Sequence, residues 1–229
     1  MTAAKIGRRE ALTLIGAAGV SAAFACSGST TSPSAATTTA DPASSNAACA
    51  VTPTETAGPF PSITSVFRSD IREDRPGIPL TLTINVVNSS SNCTPVSNAN
   101  VEIWHVDVAG NYSEYSSEAS KTYLRGVQTT DASGQVVFTT IYPGWYQGRA
   151  THIHVEVKIN GVSRKVTQMA FTESVNAAVY ASGAYAARGA NPTANAADGI
   201  FSDSLASELV TPIGSPASGY TATFQVAIA

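Results

Sequence analysis

The segment YPGWYQGRATHIH, residues 142–154, leads into a regular alternation of polar and apolar side chains. From His152 to Ile159 the even positions are polar and the odd positions apolar. A period of two is typical of a half-buried β-strand. Residues on one face of a strand lie roughly 7 Å apart, so His152 and His154 can reach a single metal ion. The plainer alternative is a strand with two surface histidines.

The turn before this strand carries further reactive groups. Pro143-Gly144 predicts a turn, and Tyr146 and Arg149 follow it. A phenol, a guanidinium and two imidazoles therefore fall within nine residues, which indicates a functional site. As alternatives, Tyr146 is a turn aromatic stacked on its neighbour Trp145, and Arg149 forms an ordinary ion pair with a carboxylate.

Alternation elsewhere predicts a fold made almost entirely of strands. Further strands are predicted at 80–87, 99–106, 124–130, 135–140, 162–171 and 220–228. The sequence at 131–134 predicts a hairpin turn, and Asn160-Gly161 predicts a second tight turn. Residues 49–78 predict an irregular arm, and the alanine-rich stretch 173–187 predicts the one helix. Short strands with almost no helix predict an all-β fold, a β-sandwich.

A second phenol, Tyr112, lies in the loop after the strand predicted at 99–106. The pKa of a tyrosine phenol is near 10, so it becomes an anionic ligand only when a highly charged cation displaces its proton. Phenolate with imidazole therefore suits Fe(III) better than Zn(II), Mg(II) or Ca(II). The alternative for Tyr112 is a loop aromatic at the sheet edge, and His105 is interpreted as structural.

The chain divides into three parts. Residues 1–25 are interpreted as an export signal, because Arg8-Arg9 precedes an uncharged, mostly apolar run at 11–25. Residues 26–48 are rich in Ser, Thr, Ala and Pro, which predicts a disordered linker. Cys26 is interpreted as the lipidated residue of a lipoprotein, with simple cleavage before a secreted protein as the alternative. Residues 49–229 form the predicted domain.

The cysteines indicate a compartment for the protein, and its net charge argues against one class of partner. With Cys26 assigned to lipid, Cys49 and Cys93 remain as an even pair in an oxidising compartment, which predicts a disulfide. The full chain has a formal charge of −3. Without 1–25 it keeps 10 basic and 15 acidic residues, a charge of about −5 with no basic patch, so nucleic acid is not an expected partner.

Several blocks of the sequence resemble one enzyme family in the same order. They are NVEIWHVDVAGNYS at 100–113, LRGVQTTDASGQVVFTTIYPGWY at 124–146 and RATHIHV at 149–155, with AGPF and RSDI upstream. They resemble the intradiol ring-cleavage dioxygenases, nearest to the protocatechuate 3,4-dioxygenase β-subunit-like branch. The resemblance runs from about residue 52 to the end and implies a β-sandwich, in agreement with the strand pattern.

The resemblance also implies a site and a reaction. Fe(III) would be held by Tyr112 and His152 as the equatorial pair and by Tyr146 and His154 as the axial pair. Tyr146 would leave the metal when a diol binds, and Arg149 would stabilise negative charge on the substrate. The implied enzyme inserts both atoms of O₂ into a small catechol-type diol and releases a muconate-type diacid.

The sequence departs from the family at three points. It lacks the helical amino-terminal segment that dimerises the catechol 1,2-dioxygenase branch, so that branch's quaternary structure is not carried over. The interval from Tyr146 to His152 is shorter than in the cytoplasmic enzymes, and Ala150-Thr151 replaces the usual Pro-Ala. The rival interpretation is an exported β-sandwich that binds carbohydrate or protein, with a vestigial metal site and only Trp104 and Trp145 for stacking.

Overall fold

The structure is a computed structural model, and it describes residues 49–229. The export signal at 1–25, the lipidation at Cys26 and the linker at 26–48 lie outside the described residues and stay predictions. Within residues 49–229, no helix is both long and apolar enough to cross a bilayer.

Ten strands within residues 49–229 form two five-stranded sheets. The strands are β1 (Pro79–Asn88), β2 (Thr94–Pro95), β3 (Asn100–Trp104), β4 (Arg125–Thr129), β5 (Gln135–Ile141), β6 (His152–Ile159), β7 (Val162–Phe171), β8 (Leu209–Val210), β9 (Ile213–Ser215) and β10 (Gly219–Ile228). The first sheet has the order β2-β1-β10-β9, with β5 also paired to β1. The second sheet has the order β4-β3-β6-β7-β8.

The two sheets enclose one apolar core. The apolar residues of β6, Ile153, Val155 and Val157, are fully buried in it, as are Leu82 and Phe138 of the first sheet. Burying an aliphatic or aromatic side chain of this size contributes about 1.5–3 kcal/mol. The alternation read from the sequence therefore marks the core face, and the predicted all-β sandwich with little helix is confirmed.

The hairpin predicted at 131–134 is wrong. The turn itself forms, because the Gly134 N–H donates to the Asp131 carbonyl at 3.0 Å. However, β4 pairs with β3 and β5 pairs with β1, so the turn carries the chain from one sheet to the other. The turn at Asn160-Gly161 does close a hairpin between β6 and β7. Its two residues have φ of +52° and +76°, as a two-residue hairpin turn of type I′ requires.

The single helix predicted at 173–187 is divided into two. The helices are α1 (Glu173–Tyr180) and α2 (Gly183–Ala186), and a third short helix, α3 (Leu205–Glu208), occurs later. Ser182, which lies between α1 and α2, is extended with φ of −121° and ψ of 143°, and this conformation interrupts the helix. The alanine content therefore predicted helical structure correctly, but the stretch forms two short helices instead of one.

The irregular arm of residues 49–78 crosses the outer face of the second sheet. A disulfide joins Cys49 to Cys93, whose Cα atoms are 5.5 Å apart. Further along the arm, the Glu55 N–H donates to the Val166 carbonyl on β7 at 2.9 Å. Phe67 then bridges to Val127 on β4 at the opposite edge. The arm therefore lies over the strand that carries the two histidines.

Candidate metal centre

Four buried polar or aromatic side chains form a row across the second sheet beneath the arm. Strand register pairs Trp104 of β3 with Arg125 of β4 and with His154 of β6, and pairs His154 with Gln168 of β7. All four are at most 1% exposed. They lie on the outer face of the sheet, yet the arm buries them: a Cβ added at Gly58 would lie 3.2 Å from the His154 ring. This close approach explains glycine at position 58, whose φ is +70°.

The two histidines of β6 direct their Nε2 atoms towards one another. These atoms are 3.2 Å apart, whereas two nitrogen ligands at right angles on one metal, each about 2.1 Å from it, would be about 3.0 Å apart. Nδ1 of His152 donates to the Ala150 carbonyl at 2.6 Å, which leaves its Nε2 as the acceptor. The His154 ring stacks parallel on Trp104 with centroids 4.8 Å apart. Both imidazoles are therefore oriented as metal ligands.

Burial keeps both imidazoles neutral. Desolvation, reinforced by the positive charge of Arg149, lowers the pKa of His152 to about 3. Desolvation, then the neighbouring His152, holds the pKa of His154 well below its usual 6.5. Neutral imidazole is the form that binds a metal, so no proton has to be removed from either ring at neutral pH.

The two predicted phenols complete a closed ring of aromatic side chains with the histidines. Ring centroids are 5.7 Å apart for Tyr112 and Tyr146, 5.5 Å for Tyr146 and His152, 4.8 Å for His152 and His154, and 6.3 Å for His154 and Tyr112. The structure thus brings together all four residues that the family resemblance implied as ligands. We call this set the four-ring cluster.

Two polar atoms of the four-ring cluster have no hydrogen-bond partner among residues 49–229. They are the Tyr112 hydroxyl and Nδ1 of His154, both buried. Burial, then the charge of Tyr146, holds the pKa of Tyr112 well above 10, so this phenol ionises only if a strong cation displaces its proton. An unpaired buried hydroxyl costs about 1–3 kcal/mol, and a bound cation would relieve that cost.

The donor set of the cluster fits a hard trivalent ion. Within residues 49–229, no group of three or more His, Cys, Asp or Glu side chains is placed to hold a metal. The cluster instead offers two phenol oxygens and two imidazole nitrogens. Oxygen anions with imidazole suit Fe(III), whereas thiolate-rich sets select zinc and carboxylate-rich sets select magnesium or calcium. The residues present therefore fit the Fe(III) that the sequence predicted.

Arg149 lies against the cluster and is held in place by a carboxylate and an amide. Its Nε donates to Oδ2 of the fully buried Asp198 at 2.8 Å, and its Nη2 donates to Oε1 of Gln168 at 2.5 Å. Its Nη1 lies 3.4 Å from the Tyr146 hydroxyl. Asp198 also accepts the Ala150 N–H at 2.6 Å. The guanidinium thus faces Tyr146 with its orientation fixed.

No sequence pattern marks Asp198 or Gln168 as part of the site. Gln168 occupies the position on β7 directly beside His154, which follows from strand pairing once β6 and β7 form a hairpin. Asp198 lies 49 residues after Arg149 in the chain. No local pattern in the sequence marks it.

A second buried ion pair joins the arm to the loop that carries Tyr112. The Glu114 carboxylate accepts the backbone N–H groups of Ile63 and Thr64 at 2.7 and 2.9 Å. Arg125 donates to the Phe60 carbonyl at 3.1 Å and lies 3.3 Å from Glu114. Both charged side chains are at most 5% exposed. We call this pair the arm clasp, because it fixes the arm above the cluster.

An open cavity of about 180 Å³ leads to the cluster. Tyr112 and Tyr146 line it together with Phe60, Tyr115 and the turn at Ser116–Glu118. The Phe60 ring stacks on Tyr112 with centroids 4.9 Å apart. Pockets for drug-sized ligands hold about 300–1,000 Å³, so this cavity suits a single aromatic ring.

His105 faces the opposite direction from the cluster. Its Nδ1 donates to the Val106 carbonyl at 2.9 Å, and its Nε2 accepts from the Thr140 hydroxyl on β5 at 2.7 Å. It therefore links the second sheet to the first. Both ring nitrogens are satisfied within the protein, which agrees with the structural role expected for this residue.

Comparison with known proteins places the chain in a family. Residues 60–189 match a family described as Dioxygenase. A curated relative, chlorocatechol 1,2-dioxygenase of Rhodococcus opacus, is 28% identical over 121 residues, which cover 44% of this chain and 46% of that protein. This chain spans less than half of the length of that protein, and less than half of the catechol 1,2-dioxygenases of Acinetobacter lwoffii and Acinetobacter guillouiae that it also matches.

Solved structures extend the match over the whole sandwich. An intradiol ring-cleavage dioxygenase from Tetranychus urticae is 30% identical, with a TM-score of 0.71 over 79% of this chain and 95% of that chain. The dioxygenase domain of a carbohydrate-binding fusion protein from Streptomyces sp. SirexAA-E is 25% identical, with a TM-score of 0.58 over 77% and 97%. Together with the sequence blocks and the fold, these matches show that the chain belongs to the intradiol ring-cleavage dioxygenase family.

Proposed function

We propose that the chain is an Fe(III)-dependent intradiol dioxygenase that cleaves a catechol-type diol between its two hydroxylated carbons. The observation that carries the proposal is the four-ring cluster, with its facing Nε2 atoms and its unpaired Tyr112 hydroxyl. Family membership and the single-ring size of the cavity support it. The product would be a muconate-type diacid that contains both atoms of O₂.

In the proposed reaction Tyr112, Tyr146, His152 and His154 hold the metal. When bound, Fe(III) acts as a Lewis acid that stabilises the diol as its dianion. Tyr146 is the more exposed of the two phenols and lines the cavity, so its phenolate oxygen would receive one proton from the incoming diol, and the second proton would go to solvent. Phe60, stacked on Tyr112, closes one side of the cavity and keeps water from the reacting ring.

Arg149 stabilises the negative charge that develops on the substrate. Asp198 and Gln168 fix its cationic guanidinium before the substrate arrives. A charge held in advance requires no reorganisation during the reaction, which is why such contacts favour the transition state. Arg149 contributes no ligand to the metal.

The proposal is tested by following oxygen from gas to product. Purified protein loaded with Fe(III) is incubated with catechol under ¹⁸O₂, and the product is examined by mass spectrometry. We expect a muconate-type diacid carrying two ¹⁸O atoms. A yellow semialdehyde, formed by cleavage beside the diol, or the absence of O₂ uptake with every diol would overturn the proposal.

The rival function, a module that binds carbohydrate or protein, needs an exposed row of aromatic side chains. Trp104 is only 1% exposed and stacks on His154. Trp145 stacks with the Arg188 guanidinium, and its indole N–H donates to the Gly189 carbonyl. The two tryptophans therefore do not form an exposed row, and no observation favours the rival.

We further propose export by the twin-arginine route and lipid attachment at Cys26. The Cys49–Cys93 disulfide supports an oxidising compartment, and a route that carries folded proteins permits metal loading beforehand. Replacing Arg8 and Arg9 together by Lys should leave the precursor in the cytoplasm, and Cys26→Ser should abolish lipid labelling. Export of the double variant at the normal level would contradict the route.

A further inference from the structure

The peptide unit between Arg149 and Ala150 is held on both sides by one distant segment of the chain. Its carbonyl accepts a side-chain N–H of Asn191 at 3.0 Å, and its N–H donates to Oδ2 of Asp198 at 2.6 Å. Both partners lie in the segment between α2 and α3. Because a peptide unit is planar and rigid, fixing its carbonyl and its N–H fixes the orientation of the whole unit.

This peptide unit lies between two groups of the proposed reaction. Arg149 precedes it, and the Arg149 Nη1 lies 3.4 Å from the Tyr146 hydroxyl. Ala150 follows it, and the Ala150 carbonyl accepts from Nδ1 of the predicted ligand His152 at 2.6 Å. A change in the backbone at this turn would therefore displace the guanidinium and the partner of His152 together.

The contacts of Asp198 require a carboxylate. Its Oδ2 accepts Nε of Arg149 at 2.8 Å as well as the Ala150 N–H, and its Oδ1 accepts the Ile200 N–H at 2.8 Å. Asp198 is 1% exposed, so water does not replace these contacts. An asparagine at this position would direct its NH₂ group at an N–H donor in either orientation, because both oxygens of Asp198 are acceptors.

We propose that Asp198 and Asn191 are positioning residues, which set where the Arg149 guanidinium lies relative to the metal ligand His152. They act through these two residues and not on the diol itself. A charge stabilises a transition state best when it is held in place beforehand. The inference rests on the proposed function, because the place of the guanidinium matters only if negative charge develops on a diol bound beside it.

The first test is a double-mutant cycle on kcat, measured with catechol and iron-saturated protein. Asp198→Asn should lower kcat by about 10–100-fold, as is typical when an outer partner of a metal site is removed. In the Arg149→Ala background the same substitution should change kcat by no more than about twofold, because the guanidinium that it positions is gone. An equal fall in both backgrounds would overturn the proposal, since a residue that only supports the fold would act in this way.

The second test needs no turnover. Iron affinity is measured without a diol, by competition with a chelator. Asp198→Asn should bind iron more weakly than the parent, because the turn that carries the partner of His152 is loosened. Arg149→Ala retains the N–H at position 150 and should match the parent. Parental iron affinity together with parental kcat in Asp198→Asn would overturn the positioning role.

The matched control is Asp203→Asn. Asp203 lies five residues further along the same segment and is exposed, and it takes part in none of the contacts described for this turn. The control removes one negative charge without releasing the peptide unit between Arg149 and Ala150. Its kcat and its iron affinity should both equal those of the parent.

Asn191→Ala is the second variant, and it carries the test if Asp198→Asn does not fold, as judged by circular dichroism. It removes the contacts of Asn191 with the Arg149 carbonyl and the Thr151 hydroxyl but retains the ion pair of Arg149 with Asp198. It should lower kcat by a smaller factor than Asp198→Asn, and only while Arg149 is present. An equal fall in both backgrounds, or none in either, would overturn the proposal.

The outcomes distinguish this inference from the proposed function. If the parent cleaves catechol and Asp198→Asn cleaves it at the parental rate, only the positioning role is overturned. If the parent binds iron but cleaves no diol, the proposed function fails, and the iron affinities of the variants still test whether Asp198 and Asn191 position His152.

Discussion

Two neighbouring rows on the outer face of the second sheet show how one strand pattern leads to two environments. The first row contains Trp104 and His154, and the second row, two residues along the same strands, contains Glu102 and Glu156. In the first row both side chains are fully buried beneath the arm. In the second, the carboxylates pair with Lys158, which is 30% exposed.

The rows differ in what their side chains contact. Alternation along β6 places His154 and Glu156 on the same face, but His154 is buried against Gly58 of the arm, whereas Glu156 is 18% exposed and lies 3.0 Å from Lys158. Burial keeps the imidazole of the first row neutral, because it holds the pKa of His154 well below its usual value. In the second row, Lys158 donates to Glu102 at 2.9 Å and lies 3.0 Å from Glu156, so both carboxylates have a cationic partner. A period of two thus predicts which face of the sheet a side chain occupies, whereas contact with the arm determines the surroundings of His154.

The largest effect expected from this comparison is loss of the metal from the first row. His154→Ala should abolish iron binding and ring cleavage, because it removes one of four ligands and opens a cavity beside Trp104. Glu156→Ala, two residues along the same strand, should retain both. Metal analysis with turnover of catechol checks the pair, and equal iron content in the two variants would contradict the assignment.

Arg149→Ala should retain the metal but lose turnover. Removing one charge contact of this kind costs roughly 3–4 kcal/mol, on the order of 10²–10³ in kcat. Arg149→Lys should recover only part of it, since a point charge lacks the planar fork that meets both Asp198 and Gln168. Lost iron, or near-normal turnover on the best diol, would make this residue structural.

Glu114→Gln should weaken the arm clasp without emptying the cluster. The amide retains the shape but loses the charge that faces Arg125 and two backbone N–H groups, which should lower the free energy of unfolding by about 2–3 kcal/mol. The control, Asp70→Asn, removes an ion pair whose side chains are 39% and 51% exposed and should cost below about 1 kcal/mol. Urea denaturation measures both.

Hydrogen exchange locates the effect of the clasp variant. Faster exchange at the Ile63 and Thr64 N–H groups is expected in Glu114→Gln, because these are the groups that the carboxylate accepts. Unchanged exchange there, together with unchanged stability, would show that the arm is held by its other contacts.

His105 should make stability depend on pH in a defined window. Burial lowers its pKa to about 4 in the folded protein, against about 6.5 when unfolded. The unfolded state therefore binds the proton first as pH falls, so the contribution is complete above pH 6.5 and is lost progressively towards pH 4. Between pH 7 and pH 5 the loss is about 2 kcal/mol. Denaturation curves of His105→Gln should show a shallower slope with pH than the parent.

Much of the fold follows from local sequence, and the exceptions share a physical cause. The strand limits at β6 and β7 and the turn at Asn160-Gly161 depend on neighbours in sequence, and the sequence predicted them correctly. The strand that pairs with β5 cannot be predicted from neighbouring residues, because Val136 and Phe138 form a core face whichever sheet contains them. The turn at 131–134 therefore suggested a hairpin where the chain changes sheets.

The same limit applies to the candidate site. The pattern around the strand and turn marked His152, His154 and Tyr146, and the resemblance to the family implied that Tyr112 joins them as a ligand. The fold brings all four into one cluster. Asp198, Gln168 and the arm clasp act through contacts between distant parts of the chain, 49 residues apart for Arg149 and Asp198. Such pairings depend on tertiary structure, which no local spacing encodes.

The most direct test of the proposed iron site is the visible absorption spectrum of the purified protein, measured together with its metal content. Phenolate bound to Fe(III) gives an intense charge-transfer band, whereas the filled shells of Zn(II) and Ca(II) give none. We expect a red-brown protein with about one iron per chain, and Tyr146→Phe should weaken or shift the band. A colourless protein containing one zinc per chain would contradict the account.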